Sequence, residues 1–299
     1  MNRSIPSWLA DNPLGAMLTT GLLGLLPLFG FSFAFFVPGA VPALVLLMRG
    51  VQRALLVAGG GTLLLVAAMW MMGRPAPVGL VYSAWLLGPP LLLGALLLRT
   101  DSLSLCLQVA VLGGVVLVVL LHATLGDPEQ FWSPFVRDLA EEMKRRGLPM
   151  QLEDETLVAM LSRTLWGWVA VLTMMLAMGA LFLARWWQSI PDRRGAFGAE
   201  FQQLRLGLAL GGAAAVVIAA SLLTDRTLVD DLARLFLAAL AIIGLAAAHR
   251  LKARGALSGL WLWVLYVLLI VVAPVTVAAL AGWGFVDNWL RSRPVARSA

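Results

Sequence analysis

Few residues in this chain could do chemistry. Against 22 Lys and Arg and 16 Asp and Glu there are two histidines and a single cysteine. His122 closes an apolar run beside Thr124, and His249 opens the basic stretch HRLKARG. No two His, Cys or carboxylate residues stand at the spacing a metal ion needs. No glycine-rich loop leads into Lys and Ser/Thr, and no Gly-x-Ser-x-Gly turn is present. The acidic trio Glu153, Asp154 and Glu155 has no base beside it in the sequence. These gaps point away from an enzyme, a metal site or a cofactor. What remains is a thin set of polar side chains set in apolar sequence: Gln52, Tyr82, Gln108, His122 and Tyr266. Of these, Tyr82, His122 and Tyr266 are the candidate binding residues. A set this sparse suits a small apolar or lipid-like ligand better than a charged one.

Two further stretches concentrate polar chemistry. LARWWQSIPDRRGAFGAEFQQLRLG runs from Leu183 to Gly207. It carries Arg185, Trp186, Trp187, Arg193, Arg194, Glu200 and Arg205. Tryptophan and arginine in such a place fix depth at a membrane surface, because an indole is half apolar and half wet. Glu200 has two available partners, Arg205 and Arg185 across the loop. The stretch reads as an interfacial anchor or as a docking loop for a membrane protein partner. Near the C-terminus, GWGFVDNWLRSR supplies Asp287, Trp289 and Arg291. Asp287 can pair with Arg291 four residues on. Buried, it would be a functional candidate.

The elements that must hold these residues follow from composition. Of 299 residues, 61% are hydrophobic and 13% charged. A soluble domain carries about 25% charged residues. The mean hydropathy is +0.89. The class is therefore all-α: a polytopic transmembrane bundle whose partner is the lipid bilayer, with the +6 net charge serving headgroups and topology rather than nucleic acid. Apolar runs of about 20 residues cover Leu14 to Phe36, Val51 to Met72, Val78 to Leu98, Leu103 to Leu125, Leu165 to Trp187, Leu204 to Leu223, Leu232 to Ala248 and Leu257 to Trp283. Val37 to Met48 is shorter, a short helix or a re-entrant piece. About eight or nine spans are expected. Cys106 reads as a small buried apolar residue. The first membrane helix is expected to serve as an uncleaved targeting signal.

Orientation comes from arginine and lysine in short loops. Arg49 and Arg53, Arg99, the Arg185 to Arg205 loop, and Arg250, Lys252 and Arg254 all fall on one side, expected to be the cytoplasm of a bacterial inner membrane. The tail with Arg291, Arg293 and Arg297 lies outside if the last run crosses once, or inside if a bend at Pro274 turns it back. The chain reads as one integral membrane domain, 1–299, with a periplasmic helical insert over 126–163. Within that insert SPFVRDLAEEMKRRG predicts a helix capped by Ser133, with Pro134 at its first position and Gly147 as its stop. Phe135, Leu139 and Met143 form its apolar face. Glu141 with Arg145 and Glu142 with Arg146 form its polar pairs. It is a membrane-surface helix, or a lid or docking element.

Several of these stretches together resemble the YybS-like family of uncharacterised bacterial integral membrane proteins. The resemblance lies in LARWWQ with its Pro-containing turn, GAFGAEF and LRL. It extends to GLAAAHRLKARG, LAGWGFVDNWLRSR and VPGAVPALVLLMRGVQRALLVAGGG. The turn here reads PDRRGAF in place of the family's Gly-Gly form, and Leu290 and Arg291 stand where a second acid often follows the tryptophan. The N-terminal half is similar in pattern to the membrane-embedded substrate-binding components of energy-coupling-factor transporters and to MreD-like proteins. The resemblance implies a non-catalytic small-molecule or lipid binding or transport component. Its alternative is a membrane scaffold for an envelope or cell-shape complex.

Overall fold

The computed structural model describes residues 4–31, 35–147, 155–192 and 195–292. These form fourteen α-helices and one 3-10 turn. The helices cluster into two compact units. The first comprises Met1–Ala110 and Thr173–Leu204, the second Val111–Leu172 and Arg205–Ala299.

The first unit holds α1 (Ile5–Asp11), α2 (Pro13–Leu25), α3 (Val37–Arg49), α4 (Val51–Met71), α5 (Ala76–Thr100), the start of α6 (Leu103–Leu125), the end of α9 (Leu165–Asp192) and α10 (Ala196–Phe201). Asn12 ends α1 and caps α2, its side-chain oxygen accepting from the Gly15 N–H at 3.0 Å, with Pro13 at the first helical position. Around this corner the chain bends by 110°. The short run Val37 to Met48 folds as α3. Every residue from Pro38 to Leu47 is buried, so α3 is the core around which α1, α2, α4 and α5 pack. An apolar helix enclosed on all sides needs no polar face. Of the glycines at 59–61 two serve close packing: a Cβ on Gly60 would meet Met17 and one on Gly61 would meet Thr20 of α2, while the Cβ position of Gly59 is open. Cys106 is buried, its thiol 3.5 Å from the Leu93 carbonyl.

The second unit holds the remainder of α6, α7 (Pro128–Arg145), α8 (Glu155–Ser162), the start of α9, α11 (Gly207–Ser221), α12 (Thr227–Ala253), α13 (Gly259–Val271) and α14 (Ala273–Ser292). The insert helix α7 starts one turn and more before Ser133. The Asp127 carboxylate accepts from the N–H groups of Glu129 and Gln130, and so takes the capping role. A charged cap with two donors outcompetes a hydroxyl further along. Ser133 instead donates to the Glu129 carbonyl at 2.6 Å, and Pro134 lies inside the helix. Gly147 follows the helix with φ 73°. Arg146 pairs with Glu142 at 2.7 Å, while Arg145 turns to Glu142 rather than Glu141. These arginines hold the Glu142 carboxyl below its usual range. Phe131 packs tilted and Trp132 edge-on against Trp166, which roots α7 in the unit and leaves Phe135 and Leu139 exposed. Of the acidic trio, Glu155 accepts two hydrogen bonds from Arg137. Glu153 and Asp154 lie outside the described residues, as do Arg193, Arg194, Arg293 and Arg297.

Among the described residues five helices are long and apolar enough to cross a membrane, or six if the α1–α2 corner belongs to one span. The chain therefore has the helices of a multi-pass membrane protein. Length and composition give a smaller number than eight or nine, because three of the apolar runs fold into helices of 13, 15 and 13 residues. At about 1.5 Å per residue these fall short of a hydrocarbon core about 30 Å thick. The run Leu257 to Trp283 breaks at Val272, whose φ and ψ of −132° and 51° end α13.

After that break α14 packs on α12 in backbone contact. A Cβ on Gly244 of α12 would run into the Leu280 carbonyl of α14, and one on Gly284 into the Leu240 carbonyl. Small residues permit this approach where lipid offers no hydrophobic drive to association. Replacing Gly244 or Gly284 with leucine should cost about 3 kcal/mol or more through overpacking. Gly282, whose Cβ position is open, should accept alanine within about 1 kcal/mol. Thermal unfolding in detergent measures both.

Candidate functional sites

In the first unit, Tyr82 and Trp85 stand on α5 with their polar tips satisfied. The Tyr82 hydroxyl donates to the Gly24 carbonyl at 2.8 Å, and the Trp85 indole N–H to Thr173 Oγ1 at 2.9 Å. Their rings join Pro77, Val78 and Val81 in lining an open groove of about 510 Å³. With both tips bonded elsewhere, the groove wall offers carbon and no spare hydrogen-bonding group. Pockets of this size, apolar and concave, are where small ligands bind. Gln52 is exposed and Gln108 half-buried, and neither lines this groove.

Arg185 is the hub of the Leu183 to Gly207 stretch. Nε and Nη2 donate to the two oxygens of Glu200 at 2.9 and 2.7 Å, Nη1 donates to Gln188 at 2.8 Å, and Nη2 also reaches Asp101 at 3.0 Å. Gln188 passes the bracing on to the Leu47 carbonyl at 3.2 Å. Of its two available partners, then, Glu200 takes Arg185. The fork of the guanidinium matches a carboxylate in a way lysine could not. Phe197 and Phe201 pack on Phe182 and press α10 onto α9, which puts Glu200 in reach. Asp101 ends α5 with φ 47°. With its donors engaged by protein groups, Arg185 is a brace for three helix ends. Trp186 is half exposed beside it and Trp187 partly buried.

In the second unit, His122 and Tyr266 do not share a pocket. His122 Nε2 is 2.9 Å from Asp231 Oδ2, and Arg234 Nη1 donates to Asp231 Oδ1 at 2.6 Å. Asp231 has no solvent exposure. The Gly167 N–H also bonds to it, and a Cβ on Gly167 would come within 2.6 Å of Oδ1. Tyr266 instead bonds to His249 Nε2 at 2.8 Å, near the other end of α12. Also at that end, Asp287 contacts Arg250, with Arg291 at 3.5 Å. Arg205 lies close enough to Arg291 to repel it. Next to Asp287, the buried Asn288 side chain accepts from the N–H groups of Leu206 and Gly207 at 2.8 and 3.2 Å and donates to the Gly207 carbonyl at 3.0 Å. It caps α11 from another helix. Trp289 is partly exposed and stacks on Phe285.

Asp231 and Asn288 are the two residues that sequence reasoning passed over. Both continue a buried stripe. Asp231 stands at helical spacing from Leu235, Ala238, Ala239 and Ile242, and Asn288 from Thr276, Leu280, Ala281 and Gly284. A polar residue in register with an apolar stripe is the readable signal.

Asp231→Ala should destabilise the protein by about 3 kcal/mol, because it strips the buried acceptor from Arg234 and His122. Asp230→Ala, one residue earlier and only partly buried, should cost within about 1 kcal/mol. Chemical unfolding monitored by circular dichroism separates the two. No family model, curated protein or solved structure matches this chain, so the resemblance to the YybS-like family rests on the quoted motifs alone.

Proposed function

We propose that this chain is a non-catalytic, multi-pass component of a bacterial inner membrane that binds or carries a small apolar or lipid-like molecule, and that it is a relative of the YybS-like proteins. The observation that carries this reading is the groove of Pro77, Val78, Val81, Tyr82 and Trp85. It is roomy, it is built on a helix long and apolar enough to span a membrane, and its two polar side chains are turned to internal partners. An acyl or other apolar chain would enter it without stranding a hydrogen-bonding group.

A second reading, a scaffold for an envelope complex with a membrane protein partner, is favoured by α7. That helix stands on an extramembrane insert and presents Phe135 and Leu139 to its surroundings. Exposed aromatic and aliphatic side chains on a polar helix suit a protein groove or a lipid surface equally.

Native mass spectrometry of protein extracted gently from its own membrane tests the first reading. A stoichiometric apolar small molecule or lipid should accompany the chain. Val81→Trp fills the groove at an exposed position. It should release that molecule about tenfold more readily while leaving the melting temperature within a few degrees. Retention of the same molecule by the variant would remove the groove as its site. A co-purifying protein that departs on Phe135→Ser with Leu139→Ser, with no small molecule bound, would favour the scaffold.

A further inference from the structure

The insert helix α7 has three unlike sides. One faces its own unit: Val136 is buried, and Trp132 meets Trp166 edge-on at 5.1 Å. A second is in water. Arg137 pairs there with Glu155 of α8 while 51% and 74% of the two side chains stay exposed, and Gln130 and Glu141 are exposed on the same side. Charged groups left this open need hydration. The third side is apolar and open. Phe131, Phe135 and Leu139 recur every four residues, which makes one stripe along a helix, and all three are exposed.

The neighbours of α7 set the level of this stripe. The span-length helix α6 ends at Leu125, and the cap Asp127 follows two residues later. The span-length helix α9 begins at Leu165, so Trp166 stands in its first turn. Phe131 packs on Trp166 at 4.9 Å, and the Trp166 indole N–H donates to the Gly126 carbonyl at 3.4 Å. The start of α7 is thus tied to the ends of two helices long enough to span, which is a membrane boundary. At that level Leu125 of α6 and Trp168 of α9 are themselves exposed. Lipid therefore borders the start of α7 before any protein partner is invoked.

We infer that α7 lies in the membrane interface, with Phe131, Phe135 and Leu139 inserted between lipid headgroups and upper acyl chains and the Arg137 side in water. A helix with one apolar stripe and one charged side takes this place, its apolar side roughly 5–10 Å into the headgroup boundary. The stripe also has an end. Three and seven residues past Leu139 the same face carries Glu142 and Arg146, paired with each other at 2.7 Å. Insertion is therefore confined to about the first three turns, beside the spans, and the last turn stays among the headgroups. A protein partner on this stripe would first have to displace the lipid. The inference does not rest on the apolar groove of the first unit. It gives α7 to lipid where the scaffold reading gives it to a protein.

Spin labels on the full chain in phosphatidylcholine nanodiscs test this. Phe135→Cys and Leu139→Cys, each labelled singly, read the stripe, and Gln130→Cys and Glu141→Cys read the water side. Cys106 is buried and should not react, so the wild type treated alike is the blank. If it does react, Cys106→Ala serves as the background. All four label positions are exposed, so melting should stay within a few degrees of the wild type. Where one variant melts early, the other of its pair is read alone. Labels on the stripe should relax more with oxygen than with a water-soluble nickel chelate, at a depth of roughly 5–10 Å. Labels on the water side should show the reverse order. The same order at all four positions, whichever reagent prevails, would overturn the inference, because α7 would then lie wholly in water or wholly in the bilayer. In vesicles of the native membrane the contrast should persist. Stripe labels shielded there from both reagents would mean that a protein covers the face, and the inference would fail.

Discussion

A carboxylate with no solvent exposure, Asp231, sits at the head of the most enclosed of the five long apolar helices. In the central window of α12 72% of residues are buried, against 33–56% in the other four. An isolated buried charge costs several kcal/mol. Asp231 therefore requires His122, Arg234 and the Gly167 N–H around it, and these come from α6, α12 itself and α9. One acid in this way fixes where three helices begin or end in the second unit. At the opposite terminus Arg250 and Asp287 tie α12 to α14. Between the two polar ties the helix is almost entirely small and aliphatic, and the backbone contact at Gly244 and Gly284 is possible only because nothing larger stands there.

The first unit reaches the same end by other means. Its core helix, α3, has no charge until Arg49, and it is held by packing on every face. The polar bracing lies at the rim, where Arg185 joins Glu200, Asp101 and Gln188. This leaves the flank of α5 apolar, and the Tyr82–Trp85 groove is where that apolar surface becomes concave.

Much of the fold was legible in the sequence. Run length and composition point to apolar helices, and Gly60 and Gly61 to close packing. The abrupt change at Gly126 points to the insert. Helix lengths were less legible, because a continuous apolar run does not reveal a corner. Nothing in Leu257 to Trp283 marks Val272 as a break more strongly than Pro274 beside it. Start signals also compete: Asp127 and Ser133 are both good caps, and the one with charge and two N–H donors prevails. The candidate sites were legible one residue at a time. Asp287, Arg291 and His122 stand out as polar residues at the ends of apolar runs. Their partners Arg250 and Asp231 do not, since pairing across helices is set by the fold and leaves no local spacing to read.

The meeting of the C-terminal turns of α12 and α14 rests on the contact between Arg250 and Asp287. Exchanging the two charges tests it directly. Arg250→Asp and Asp287→Arg should each lower the melting temperature on their own, since each places like charges together. The double variant should recover most of the loss, with a coupling of about 1–3 kcal/mol in a double-mutant cycle. If the double variant lost the sum of the two single effects, the residues would not be in contact, and the C-terminal turns of α12 and α14 would not meet there.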